Sequence, residues 1–207
     1  MSQDLFSLAG AHVRLEPLQP YHAEALISAA SGAGDLYRWT VVPPELADMK
    51  KYVDTALGWR EAGTAAPFAT IRQTDGRVIG STRFFDMERF AWPEGHQRHG
   101  RTDPDVCEIG YTWLEPASIR TAANTEAKLL MLTHAFEVWG MLRVCLHTDE
   151  RNERSRAAIE RLGAKFEGIL RGHRMASDFT ARNSVRYSII AAEWAEVKRR
   201  LGDRLHT

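Results

Sequence analysis

Along this chain the apolar positions switch repeatedly between a period of two and a period of three to four, and each switch marks an element boundary. Over residues 12–18 Val13, Leu15 and Leu18 alternate with Arg14 and Glu16, the pattern of a half-buried strand. Pro20 then opens a helix through Ala30, with Ala23, Leu26 and Ile27 at helical spacing, and Ser31-Gly32-Ala33-Gly34 ends it. A second helix over residues 45–61 carries Met49, Tyr52, Val53, Ala56 and Trp59 on one face and stops at Gly63. Residues 67–72 and 77–86 read as a hairpin whose turn, Gln73-Thr74-Asp75-Gly76, places an Asp-Gly pair where positive φ is needed.

The second half repeats the alternation. Residues 106–114 form a strand, and residues 125–139 a helix so apolar around its circumference that it must be buried on more than one side. Gly140 terminates that helix, and the strand over residues 142–147 is parallel to the previous one because a helix connects them. Asp149 can cap a helix over residues 150–162, for which Gly163 is a C-terminal cap. Strands over residues 165–170 and 184–190, with residues 171–182 between them, and a helix over residues 193–201 complete the order. The class is α/β, an α+β arrangement around one mixed sheet, in a single domain spanning residues 1–207.

Two connections stand out. Tyr37, Trp39, Val41 and Val42 ahead of Pro43-Pro44 make an aromatic segment that either lines a substrate pocket or folds onto the core. Residues 87–104 form a long polar loop, and loops of that length in a small domain tend to be functional or mobile, which makes it the candidate carrier of substrate preference. His96 and His99 in it lack a cysteine partner, so a solvated loop is the simpler reading than a metal site, and no metal is expected.

Composition narrows the classes. Lysine plus arginine number 27, as do aspartate plus glutamate, so no global field favours nucleic acid or an anionic membrane, and a small partner is expected. Cys107 and Cys145 each sit within an apolar alternating run, which suits buried thiols in a reducing compartment. Met1-Ser2-Gln3-Asp4 carries no basic stretch and no apolar run approaches about 18 residues, so a cytoplasmic location is expected. Neither a Gly-x-Ser-x-Gly elbow, nor a Walker loop, nor a dinucleotide fingerprint occurs.

The chemistry concentrates where the strand ending at Tyr111, Trp113 and Leu114 is stopped by Glu115-Pro116 and a helix begins, capped by Thr121 or Asn124. The first N–H groups of a helix have no internal partners and lie at the positive end of its dipole, so a loop wrapped onto them binds a phosphate or diphosphate. Thr121, Ala122, Ala123 and Asn124 are small enough to let a ligand reach the backbone.

Glu108-Ile109-Gly110-Tyr111-Thr112-Trp113-Leu114, the run Arg120 to Lys128, and Asn152-x-x-Ser155 followed by Leu162-Gly163 together resemble the GCN5-related N-acetyltransferases (GNAT), in their RimJ/RimL-like branch, over nearly the whole chain. One departure is that the family loop, Gln/Arg-x-x-Gly-x-Gly/Ala, has no glycine here. Keeping Thr125-Glu126-Ala127 aligned puts Ile119 at the Gln/Arg position and Ala122 and Asn124 at the glycine positions; counting from Arg120 puts Ala123 and Thr125 there. Alanine has poor access to positive φ.

The resemblance implies a fold whose strands ending at Leu114 and His147 lie side by side and splay. It implies acetyl-CoA as co-substrate, with its diphosphate on the amides from Arg120 to Thr125 and its pantetheine arm along residues 106–114 at Trp113 and Leu114. The Leu114 N–H becomes the candidate oxyanion donor, Asn152 a pantetheine contact, Ser155 a donor to the thiolate, and Arg156, among Arg151, Arg154 and Arg156, the candidate partner of the 3′-phosphate. Glu108 shares a strand face with Gly110 and Thr112 and is the candidate base, with a structural carboxylate paired to an arginine as the competing reading. The implied activity is acetyl transfer to a protein N-terminus or a small amine. The alternative is a non-catalytic acyl-CoA-binding relative with a degenerate loop. A homodimer is implied by the resemblance alone.

Overall fold

The alternating segments assemble into one eight-stranded sheet in which the first six strands lie in chain order, followed by the eighth and then the seventh. The computed structural model describes residues 5–206, so the opening Met1 to Asp4 lies outside it. In chain order the strands are β1 (Leu8–Ala9), β2 (Val13–Pro17), β3 (Ala66–Arg72), β4 (Val78–Glu88), β5 (Val106–Leu114), β6 (Arg143–Asp149), β7 (Lys165–Met175) and β8 (Ala181–Ile190). The helices are α1 (His22–Ala30), α2 (Leu46–Glu61), α3 (Ala122–Thr133), α4 (Glu153–Arg161) and α5 (Trp194–Leu205). β5 and β6 pair in parallel and every other neighbouring pair is antiparallel.

That parallel pair decides where a ligand can enter. It holds register only at Val106 with Arg143, Cys107 with Val144 and Glu108 with Cys145, and beyond Glu108 the two strands are no longer bonded to each other. A sheet edge in the middle of a fold leaves backbone N–H and C=O groups without strand partners, and buried groups of that kind need another partner. On the opposite edge β5 stays paired to β4 as far as Leu114 with Gly80.

The sheet is covered on both faces. One cluster joins α3 and α5 to the sheet through Met131, Leu132, Phe84 and Tyr187; the other joins α1 and α2 through Leu26, Met49 and Val53 to Ala69 and Trp113. The Glu126 carboxylate ties α3 to the start of β2, accepting the N–H groups of Ala11, His12 and Val13 at 2.7–2.8 Å. Gly10 makes room for it, because a Cβ there would stand 2.3 Å from the Glu126 carboxyl carbon.

Several boundaries differ from the sequence reading. α3 starts at Ala122 instead of residue 125, with Thr121 as its cap, and it ends in a π-helical turn over His134–Val138. α4 is capped by Asn152, whose side chain accepts the Ser155 N–H, whereas Asp149 is still in β6 and grips Arg151. The β7–β8 hairpin consumes most of residues 171–182, because residues around a bulge keep pairing as far as Met175 with Ala181. The loop after β4 is pinned by Asp105, which accepts from the Phe90 N–H, the Trp92 indole and Arg98. Both cysteines are buried and free.

Candidate functional site

A cleft of about 660 Å³ opens between the diverging ends of β5 and β6. Successive N–H groups along a strand point to opposite edges. The Glu115 N–H donates to Ile79 O on the β4 side, so the Leu114 N–H faces the open wedge. The Leu114 carbonyl on that edge accepts the Tyr37 hydroxyl at 2.8 Å, which fixes the strand end. Burial, with Glu115 adding to it, pushes the Tyr37 phenol up to about 12, so it stays a proton donor throughout the neutral range. β5 can approach β4 this closely at Leu114 only because Gly80 has no side chain: a Cβ there would lie 2.0 Å from Trp113 O.

Below the wedge stands the N-terminus of α3. Ser118, Ile119, Arg120, Thr121, Asn124 and Thr125 line the cleft, while Ala122 and Ala123 do not, Ala123 being turned into the core. The turn is fixed by Glu115, which accepts from Arg72 at 2.7 Å and from the Ser118 hydroxyl at 3.0 Å. The left-handed residue of this segment is Arg120, at φ 64°, and Ala122 is already in the helix. Neither register's glycine positions therefore need positive φ, and the glycine-free loop forms the helix-end cradle with its one left-handed residue at Arg120 rather than at an alanine.

α4 and its two caps form the facing wall, where Asn152, Ser155, Ala158 and Leu162 line the cleft. Asn152 Oδ1 is used in capping, at 3.0 Å from the Ser155 N. The arginines nearby are mostly committed elsewhere. Arg156, expected at the 3′-phosphate, donates to the Tyr187 hydroxyl and Glu150 O and does not line the cleft; Arg154 and Arg161 are the cleft-lining arginines of this helix. Arg154 donates to Leu36 O, and Arg151 bridges Asp149 and Asp178 while stacking 4.1 Å over Trp39. These bonds hold the aromatic segment against the cleft, where Tyr37, Trp39 and Val41 form part of the wall. Both readings of that segment hold in part, since Tyr37 and Val42 also pack against the core cluster that includes Trp113.

At the closed end of the wedge sits a cluster of ionisable groups. Glu108 is buried and does point into the cleft, with Oε2 2.9 Å from Arg174 Nη2 and 2.8 Å from His147 Nδ1, the latter without the alignment of a hydrogen bond. The competing reading, a carboxylate paired to an arginine, thus describes the same side chain. Arg174 reaches Asp86 as well. Burial pushes His173 down toward the neutral imidazole and lowers Arg182 from its ordinary value.

Lys128 also lines the cleft and was missed as a site residue. It donates to Thr112 Oγ1 at 2.6 Å and Thr82 Oγ1 at 3.0 Å, and burial pulls its ammonium down to about 7. Its signal was a lysine close after Glu126 on an otherwise apolar stretch of helix. Arg174 was missed because residues 171–182 were read as a connection. Conversely, nothing of the loop 89–105 lines the cleft, so its expected part in substrate preference is not supported; His96 stacks on Trp92 and His99 bonds Trp92 O. Among the described residues no group of three or more His, Cys, Asp or Glu side chains could hold a metal ion, and no helix is long and apolar enough to cross a membrane.

Residues 12–165 match the acetyltransferase (GNAT) domain. The chain is 28% identical to a GCN5-related N-acetyltransferase from Brucella melitensis, with TM-score 0.82 over 99% of this chain and 87% of that one. It is 34% identical to a T. thermophilus protein bearing an acetyltransferase designation, with TM-score 0.78 over 99% and 100% of the two chains. At 18% identity the fold also matches Mycobacterium smegmatis RimJ, solved in complex with CoA-disulfide, with TM-score 0.78 over 96% and 94%. No protein of curated function matches significantly. A parallel pair that parts beside a helix N-terminus, in a chain most of which carries this domain pattern, makes the protein a GNAT acetyltransferase of the RimJ/RimL type.

Proposed function

We propose that the protein transfers the acetyl group of acetyl-CoA to a primary amine by direct attack in a ternary complex. One observation carries this reading: β5 loses its partner after Glu108, which leaves an unpaired strand edge ending at the Leu114 N–H beside the α3 N-terminus. The two amides of a pantetheine arm suit such an edge, and a diphosphate suits the amides from Arg120 to Thr125. Acetyl-CoA use is implied by the family.

In this reading Glu108 takes a proton from the incoming ammonium, directly or through water, while Arg174 holds the carboxylate in place. The neutral amine forms a C–N bond to the thioester carbonyl carbon, and the Leu114 N–H receives the developing oxyanion. Collapse breaks the C–S bond. The departing thiolate is met by Ser155, the hydroxyl on the facing wall, and a proton returns to sulfur as the amide nitrogen loses its own. Calorimetry with acetyl-CoA on the unmodified protein, followed by thiol release across a panel of amines, tests the proposal. Saturable binding with acceptor-dependent thiol release is expected, and no saturable binding at high micromolar acetyl-CoA overturns it.

A further inference from the structure

Outside this cleft the fold buries a charge without a counter-charge. Arg83, in the middle of β4 between β3 and β5, is 1% exposed, yet among the described residues no carboxylate pairs with it. Its Nε and Nη2 are buried without a hydrogen-bond acceptor. Three rings surround the guanidinium: Tyr111 at 4.2 Å, Tyr52 at 4.8 Å and Trp59 at 5.4 Å. Rings over the faces of a guanidinium favour its charge but accept none of its in-plane N–H bonds. Nε–H and Nη2–H form the edge that grips both oxygens of a carboxylate at once.

Arg83 forms part of the wall of a second cavity, of about 260 Å³, beneath the segment at Val41 and Pro43. The acidic side chain on that wall, Asp48, is taken up by Lys51 at 2.9 Å. The Tyr52 hydroxyl is another buried group without a partner. Val41 and Tyr111 line both this cavity and the acetyl-transfer cleft, so the two spaces abut. Tyr111 is held between them at φ 49°, where the β4–β5 register shifts.

We infer that the cavity over Arg83 binds a carboxylate carried by the acceptor, so that the acceptor is a small amino acid whose amine reaches Glu108 while its acid group is clamped by Arg83. The identity of the clamped group as part of an acceptor rests on the proposed acetyl transfer; the carboxylate site itself does not. Uncompensated burial of a guanidinium is strongly unfavourable, and a carboxylate entering from the cavity, as the rings over Arg83 part to uncover its buried Nε and Nη2, would supply the missing charge and both hydrogen bonds.

The experiment uses N-acetylglycine, N-acetylalanine and N-acetylphenylalanine, each against its carboxamide, titrated into the unmodified protein by calorimetry. Thiol release with the corresponding free amino acids and amino amides is measured in parallel. Each acid is expected to bind at least tenfold more tightly than its amide. Arg83→Met should erase that preference and raise KM for the amino acid at least tenfold with KM for acetyl-CoA unchanged, and Arg83→Lys should restore part of it. Equal or absent binding of acids and amides to the unmodified protein overturns the inference, whether or not the variants fold. Preferential binding of acids without thiol release from any amine would sink the proposed acetyl transfer and leave the carboxylate site standing; turnover of neutral amines without acid binding would do the reverse.

Discussion

Lys128 and Thr112 are joined by a hydrogen bond of 2.6 Å across the floor of the cleft, and among the described residues no carboxylate shares the lysine. The ammonium is held by two neutral hydroxyls, Thr112 and Thr82, which also lie 2.8 Å from each other. Hydroxyls solvate a charge less well than water does, so the folded protein releases this proton near pH 7, against 10.5 in the unfolded chain. The sign follows from proton counting. Between those values the unfolded chain holds a proton that the folded one has lost, so stability rises with pH through this window. Below it both forms are protonated and the full penalty applies.

Lys128→Met should therefore stabilise the protein at pH 7, and the gain should fall by about 1.4 kcal/mol per pH unit as pH rises toward 10. The two threonine hydroxyls left behind can pair with each other. Urea unfolding of both proteins at pH 7, 8 and 9 checks this. Parallel stability curves would show that Lys128 is not the titrating group.

Glu108 and Arg174 make a different kind of pair, since the arginine comes from the far end of β7, close to the β7–β8 turn. Glu108→Gln keeps the shape and one acceptor oxygen but removes the base. Acetyl-CoA affinity should stay within about twofold while kcat falls roughly 100-fold, a typical loss for a proton-transfer group, and the rise of rate with pH should flatten. An unchanged pH profile would remove Glu108 from the chemistry and leave it as an anchor for Arg174.

The cofactor loop shows what could be read from the chain and what could not. Glu115-Pro116 and the small residues after it announce a turn into a helix capped by Thr121 or Asn124, and the fold uses Thr121. The missing glycines looked like a defect because the positive φ was assigned to alanine positions, whereas the fold spends it on Arg120. Ala122→Gly should accordingly leave the acetyl-CoA dissociation constant within about twofold and lower stability by under about 1 kcal/mol, the usual helix penalty of glycine. A tenfold tighter Kd in the variant would mean that the parent loop is strained after all.

Local patterns were legible wherever one element decided the matter, as in the strand alternation at Val13 and Leu15 and the Asp75-Gly76 turn. What failed were properties of two elements together. Arg83 reads as a polar interruption of an apolar strand, and only the sheet order, which sets β4 in the interior between β3 and β5, makes it a buried charge. The loop 89–105 looked functional by length, yet its polar groups are spent on Asp105, Gly140 O and Trp139 O. Length and polarity do not reveal where a loop's hydrogen bonds go.

Gly80 and Leu114 couple the fold to the proposed chemistry most directly. With a Cβ at residue 80 only 2.0 Å from Trp113 O and 2.9 Å from Leu114 Cα, β5 cannot keep its path past an alanine. The obstacle is backbone, so no side-chain rotation relieves it. The strand must shift toward the wedge or lose its last bonds to β4, and either movement displaces the Leu114 N–H from the place where an oxyanion forms. Gly80→Ala should lower kcat by about 100-fold or more, the scale of a lost oxyanion donor. Because Glu108 is anchored separately by Arg174, the shape of the pH profile should survive. Steady-state kinetics across pH, with circular dichroism to confirm folding, separate this from general unfolding: a folded variant with unaltered kcat would show that Leu114 does not stabilise the transition state.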